Sequence, residues 1–216
     1  WSFSRLDLYV NLALKNQVEP ILTLGRTPTW ASARPSEKCG ATPGCAAEPR
    51  DLAIWENYVT TVVSRYKGRI AAYEIWNEPA FSEVDPIFRK DGTPIQYFTG
   101  SAREMAKLAE SAYRAVKGAD PGALVVSPSV TAEGNGLRRL EAYLQVGGGK
   151  WCDVVGFHFY ATPPESTYQL AIDLTPIGVE GIKHTSPAID IFLIACEEQR
   201  IAKAIRLAHL GLTKYF

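Results

Sequence analysis

The sequence predicts an α/β chain built as a (β/α)8 TIM barrel, and three observations lead there. Strand and helix signals alternate along the 216 residues, which implies a parallel sheet with helices outside it. The strand segments are near-continuous apolar runs, the pattern of strands buried on both faces. The long loops, 26–50, 80–100 and 160–165, all follow strands, the side on which such a barrel builds its active site. A doubly wound sheet is the alternative, but no strand leads into a G-x-G-x-x-G or G-x-x-x-x-G-K-[ST] phosphate loop.

In "SFSRLDLYVNLALK", Phe3, Leu6, Val10 and Ala13 recur at helical spacing, and Ser4 with Asp7 makes a capping-box pattern. "VEPILTLG" follows as a buried strand. Residues 51–67 repeat the helical period through Leu52, Trp55, Val59, Val62 and Tyr66, and "RIAAYEIW" is the next strand. Residues 101–117 open on a Ser101/Glu104 capping box and stop at Gly118. "ALVVSPSV" is a strand, 136–145 a short helix and "DVVGFHFY" a strand. A weaker helix signal covers 165–176, "AIDIFLIA" is a strand, 197–210 a helix, and "TKYF" starts another strand.

A hydrophobic content of 46% supplies one sizeable core. Lys and Arg number 23 against 23 Asp and Glu, so no global field draws the chain to nucleic acid or membrane. No apolar run approaches the ~20 residues of a membrane span. "WSFSRLDLYV" has neither the basic start nor the cleavage site of a signal peptide. Cys39 and Cys45 in "CGATPGC" suit a small disulfide ring and an oxidising compartment, secreted or periplasmic. Zinc is not expected, because neither a second cysteine pair nor a histidine stands at ligand spacing. Cys152 and Cys196 adjoin apolar strands as buried small hydrophobes.

The chemistry concentrates in "YEIWNEP", residues 73–79. Glu78 stands between Asn77 and Pro79 where a strand ends. Pro79 stops the strand and stiffens the turn, which holds the carboxyl in place. A carboxyl whose geometry is fixed in this way suits a catalytic acid. The acid must stay protonated near neutral pH, through burial or a neighbouring negative charge. Trp76 and Tyr73 are the expected desolvating neighbours of Glu78. Glu74, by strand alternation, points into the barrel interior as a lumen charge paired with a basic residue.

"YEIWNEP" resembles the Asn-Glu-Pro motif of clan A glycoside hydrolases, (β/α)8 enzymes whose acid/base glutamate ends the fourth strand. "FSRLDLYVNLALKNQVEPILTLGRTPTWAS" is similar to the third-strand region of the β-xylosidase/iduronidase family and its bacterial relatives. "VVGFHFY" resembles their sixth strand, and "EEQRIAKAIRLAHLGLTKYF" their seventh helix and eighth strand. The resemblance covers most of the chain. It implies a retaining β-glycosidase acting on an oligosaccharide or polysaccharide, with Glu78 as general acid/base and no metal or organic cofactor. It also implies that Asn77 donates to the sugar hydroxyl beside the reacting carbon.

The nucleophile is less legible. In the clan it is a glutamate ending the seventh strand after a Thr, and "SPAIDIFLIACEEQ" contains no Thr-Glu pair. Glu197 is the positional candidate, or equally a first-turn helix residue favoured by the macrodipole; Asp190 and Glu180 are poorer. His158 and Tyr160 share one face of their strand and are candidates for sugar hydroxyls or the second carboxylate. Trp30 is placed to stack on a pyranose ring or to pack under its loop. Arg26 in the same loop is read as solvated, Trp55 as core, Tyr97 and Phe98 as possible groove residues, and His184 and His209 as structural. By the resemblance, strands one and two are absent and the chain stops as strand eight begins. Residues 1–216 are therefore expected to be one partial catalytic barrel domain, truncated or interrupted by gaps. An intact mass well above 23.7 kDa would accord with that expectation. Two rival readings stand: a carbohydrate-binding pseudo-enzyme that has lost its nucleophile, and an unrelated α/β protein in which Asn-Glu-Pro is accidental.

Overall fold

The computed structural model describes residues 2–39, 42–86, 97–131, 135–158 and 190–194. The expected elements at 165–176 and 197–210, the "TKYF" strand, Tyr160, Glu180, His184, Glu197 and His209 lie outside the described residues.

Among the described residues five parallel staves run in chain order: β1 (Ile21–Leu24), β4 (Ala72–Ile75), β5 (Leu124–Val126) continued by β6 (Val130–Thr131), β7 (Val154–His158) and β8 (Asp190–Ile194). β1 pairs with β4 (Ile21 beside Ala72), β4 with β5, and β7 with β8 over its whole length (Val154 beside Asp190, His158 beside Ile194). Each stave neighbours the next in sequence and the order never reverses. That is the arrangement of a (β/α)8 barrel, whereas a doubly wound sheet changes direction at a switch point. The small hairpin of β2 (Lys38–Cys39) and β3 (Thr42–Pro43) lies in the loop after β1.

The expected single strand over "ALVVSPSV" is instead two, because Pro128 has no N–H to give the ladder. Ser127 repairs the break: its amide donates to Val154 O at 2.9 Å, and its hydroxyl accepts from Gly156 N at 3.0 Å. β1 also departs from expectation. It has one neighbouring strand among the described residues, and Thr23 in it is exposed rather than buried.

Among the described residues four helices cover the sheet: α1 (Ser4–Lys15), α2 (Leu52–Arg65), α3 (Ala102–Ala119) and α4 (Gly136–Gln145). α2 is rich in β-branched residues, each costing up to ~0.7 kcal/mol in helix propensity. Val59, Val62 and Val63 are nevertheless buried against the sheet and α3, and ~1.5–3 kcal/mol from each such burial outweighs that cost. α3 carries the predicted capping box: Ser101 Oγ accepts from Glu104 N at 3.1 Å, and Glu104 Oε2 accepts from Ser101 N at 2.7 Å. It runs one residue past Gly118 and ends at Asp120, whose carboxylate accepts from Gly68 N at 2.7 Å.

The Ser4/Asp7 box does not form. Phe3 is the N-cap, without a side-chain bond. Asp7 instead accepts from Arg65 at 2.9 and 2.6 Å and from the Tyr66 hydroxyl at 2.8 Å, tying α1 to α2. Bidentate bonds from a guanidinium outweigh one local amide bond. Hydrogen bonds from Arg65 and Tyr66 hold the Asp7 carboxyl below its ordinary range.

Cys45 is disulfide-bonded. Cys152 is free and buried, as its neighbours suggested, and burial pushes its thiol up to about 12. Among the described residues no helix is long and apolar enough to cross a membrane.

Candidate active site

Four consecutive staves each send one polar side chain to the same part of the interior: Thr23 from β1, Glu74 from β4, Ser129 just before β6, and His158 from β7. They form one hydrogen-bonded belt. Glu74 Oε2 accepts from the Thr23 hydroxyl and Glu74 Oε1 from the Ser129 hydroxyl. His158 places Nε2 at 3.3 Å from Glu74 Oε1 and Nδ1 at 2.9 Å from Glu78 Oε1. The side chains of Glu74, His158 and Glu78 are 2%, 4% and 16% exposed, so the belt is dry at Glu74 and opens toward Glu78.

Glu78 reaches this place because the backbone leaves strand geometry beyond β4. Trp76 and Glu78 both have left-handed φ, 64° and 45°. Such residues cost of the order of 1–3 kcal/mol each and persist where their surroundings fix them. At Trp76, the amide donates to Leu24 O at 2.7 Å and the indole N–H to Tyr97 O at 2.9 Å. At Glu78, the amide donates to Ser129 O at 2.9 Å, and Asn77 bridges in parallel to Ser129.

This turn corrects the expectation that Trp76 and Tyr73 wall the acid. The left-handed φ carries Trp76 into an aromatic cluster, 6.1 Å from Trp55 of α2 and 5.1 Å from Phe98 between ring centroids. Tyr73 alternates with Glu74 on β4 and belongs to the core under the helices. Phe98, expected to line a groove, is fully buried in the same core. Glu74 faces the interior as expected, and its basic partner is His158 rather than a Lys or Arg. Thr23 and Ser129 were missed by sequence reasoning. The one available signal was a small hydroxyl residue at an interior position of an otherwise apolar strand.

Gly156 makes room for the belt. A Cβ there would collide with Ser129 Oγ and come within 2.8 Å of Val126 Cγ1. Gly156→Ala is expected to destabilise the fold by about 1–3 kcal/mol, the range for overpacking. Its denaturant midpoint should fall with the slope unchanged.

Trp30 sits apart from the belt, on the short 3-10 turn Thr29–Ala31, and is 58% exposed. It lines a cavity of about 260 Å³ with Arg26, Pro49, Ile54, Trp55 and Tyr58. Burial pushes the Tyr58 hydroxyl up to about 12. Arg26 is exposed, as expected, with its guanidinium 5.3 Å from the Tyr97 ring centroid. Trp55 is core, 3% exposed, and its indole N–H donates to Leu108 O at 2.9 Å. Asp190 begins β8 beside Val154, at the far end of the staves from His158.

Two ion-pair groups hold the loops around these strand ends. Arg34 bonds Glu37 at 2.7 Å and Glu48 at 2.6 and 2.7 Å, closing the loop after β1. Asp85, in the loop after Glu78, accepts from Arg139 of α4 at 2.6 and 3.2 Å and from Asn135 at 2.8 Å. Burial raises the Asp85 carboxyl, but the Arg139 and Asn135 bonds outweigh it and leave it below its ordinary range.

No family model matches the chain. An endo-1,4-beta-xylanase from Agaricus bisporus is 29% identical over 138 residues, 64% of this chain and 37% of that protein. Three solved structures superpose with a TM-score of 0.60. They are a glucosidase from Croceicoccus marinus (20% identical, 89% of this chain and 37% of that one), a monomeric beta-xylosidase from Caulobacter crescentus CB15 (17%, 89% and 40%), and the GH39 enzyme from Xanthomonas axonopodis pv. citri (18%, 90% and 39%). The chain thus spans about two fifths of the length of these proteins. Its fold is part of a (β/α)8 barrel, and the proteins it resembles are the clan A glycoside hydrolases, xylosidase-like members among them.

Proposed function

We propose that residues 1–216 are part of the catalytic barrel of a retaining β-glycosidase working by a two-glutamate double displacement. The observation that carries this reading is the Glu78 carboxyl, 16% exposed at the end of its stave and held at one oxygen by His158 at 2.9 Å. A carboxyl shielded and oriented in this way suits a group that gives a proton to the leaving oxygen and later takes one from water. Asn77 donates to the neighbouring sugar hydroxyl, Tyr160 meets a sugar hydroxyl or the second carboxylate, and Trp30 stacks on a sugar ring; His158, expected to do the same as Tyr160, instead has both ring nitrogens on Glu74 and Glu78. No metal or organic cofactor is called for.

The nucleophile is a glutamate following β8, with Glu197 the positional candidate. β8 ends at Ile194 beside His158, which favours a carboxylate close to Glu78 at the ~5–5.5 Å retaining separation. Substrates are β-linked glycosides or polysaccharides. Xylose-based ones come first, because the similar proteins include a xylanase and a beta-xylosidase. The disulfide at Cys45 favours an oxidising location, secreted or periplasmic.

Incubation with a 2-fluoro-xylosyl fluoride tests this directly. The expected result is loss of activity with one glycosyl added per chain, mapped by peptide mass to a glutamate after β8. Xyloside turnover with inverted product stereochemistry and no adduct would overturn the retaining mechanism.

A further inference from the structure

Glu74 poses a question that its neighbours answer. It is 2% exposed, and among the described residues its ion-pair partner is an imidazole rather than a Lys or Arg. An uncompensated buried carboxylate is costly, so its presence needs a reason beyond filling space. The Thr23 and Ser129 hydroxyls both donate to it, one to each oxygen. Both carboxyl oxygens of Glu74 are thereby anchored to the sheet. His158 then has a carboxylate oxygen at each ring nitrogen, Glu74 Oε1 at Nε2 and Glu78 Oε1 at Nδ1. The ring is thus clamped between two carboxyl groups, and its orientation toward Glu78 is set by Glu74.

We propose that Glu74 is a positioning residue for Glu78, acting through His158; this rests on the reading of Glu78 as the acid/base. Thr23 and Ser129 fix Glu74, Glu74 fixes the ring, and the Nδ1–H stays directed at Glu78 Oε1. That oxygen is then an acceptor throughout the cycle, and the exchangeable proton is carried on Oε2. In the first step the Oε2 proton passes to the glycosidic oxygen as the sugar–oxygen bond breaks. In the second, Oε2 takes a proton from the water that attacks the glycosyl-enzyme. The Nδ1–H is not consumed in either step.

Glu74→Gln keeps the shape but turns one acceptor oxygen into an NH2 donor, so the Thr23, Ser129 and His158 contacts can no longer all be made. With a disaccharide, whose leaving group needs protonation, kcat/KM is expected to fall about 10- to 100-fold, the range for a lost orienting partner. With a dinitrophenyl glycoside, whose leaving group needs no proton, kcat/KM is retained, and KM is unchanged for both. Thr23→Val, on the exposed position of β1, carries little folding risk and should show the same selective loss at smaller size. Equal losses on both substrates, or no loss, would overturn the proposal where Glu78→Gln itself loses only the disaccharide. If Glu78→Gln shows no such selectivity, the acid/base reading fails first and this proposal with it.

Discussion

Glu78→Gln is expected to lower kcat/KM for a disaccharide substrate by about 10²- to 10⁴-fold, the usual contribution of a positioned general acid. An amide of the same shape has no proton to give the leaving oxygen. For a dinitrophenyl glycoside the departing phenolate is already stable, so kcat/KM, which reports the first step, is retained. The second step still lacks its base, and the glycosyl-enzyme accumulates. A small anion such as azide, which attacks without a base, should then restore turnover and appear in the product. Uniform loss on both substrates would instead assign Glu78 to binding or folding. The geometry favours the first outcome: the Glu78 amide is anchored to Ser129 O at 2.9 Å, independently of what the side chain carries.

The largest expected effect on stability lies at Arg139 and Asp85, whose side chains are 7% and 8% exposed. Arg139→Ala leaves a buried carboxylate with Asn135 as its remaining described partner, a loss of about 3–5 kcal/mol. For a domain of this size that corresponds to roughly 6–20 °C in Tm. Replacing both residues by apolar side chains of similar volume should cost far less than either single change, since no charge is then stranded. A double variant as unstable as the sum of the singles would refute that account. The Asp85 carboxyl is held below its ordinary 3.8. The pair therefore contributes fully at neutral pH and loses its contribution as pH falls through the lowered folded value.

Elements whose signals are local were legible. α4 spans 136–145 as expected, and the Ser101/Glu104 box closes because its partners are three residues apart. The Ser4/Asp7 pattern has the same spacing, yet Asp7 goes to Arg65, 58 residues away. A bidentate charged bond across two helices cannot be read from either helix alone. Trp76 shows the same limit. Alternation from Glu74 points it toward the mouth, while a left-handed φ of 64° turns it into the core.

From the sequence alone came the α/β alternation, the parallel barrel, the glutamate at the end of a stave and the inward direction of Glu74. Periodicity and a stop signal such as Pro79 act within a few residues, so they survive in the order of the letters. Tertiary structure alone decided what Glu74 and Glu78 touch. Thr23, Ser129 and His158 lie 51, 55 and 80 residues from the carboxylates they meet, and strand register, set by the packing of the whole sheet, brings each pair together.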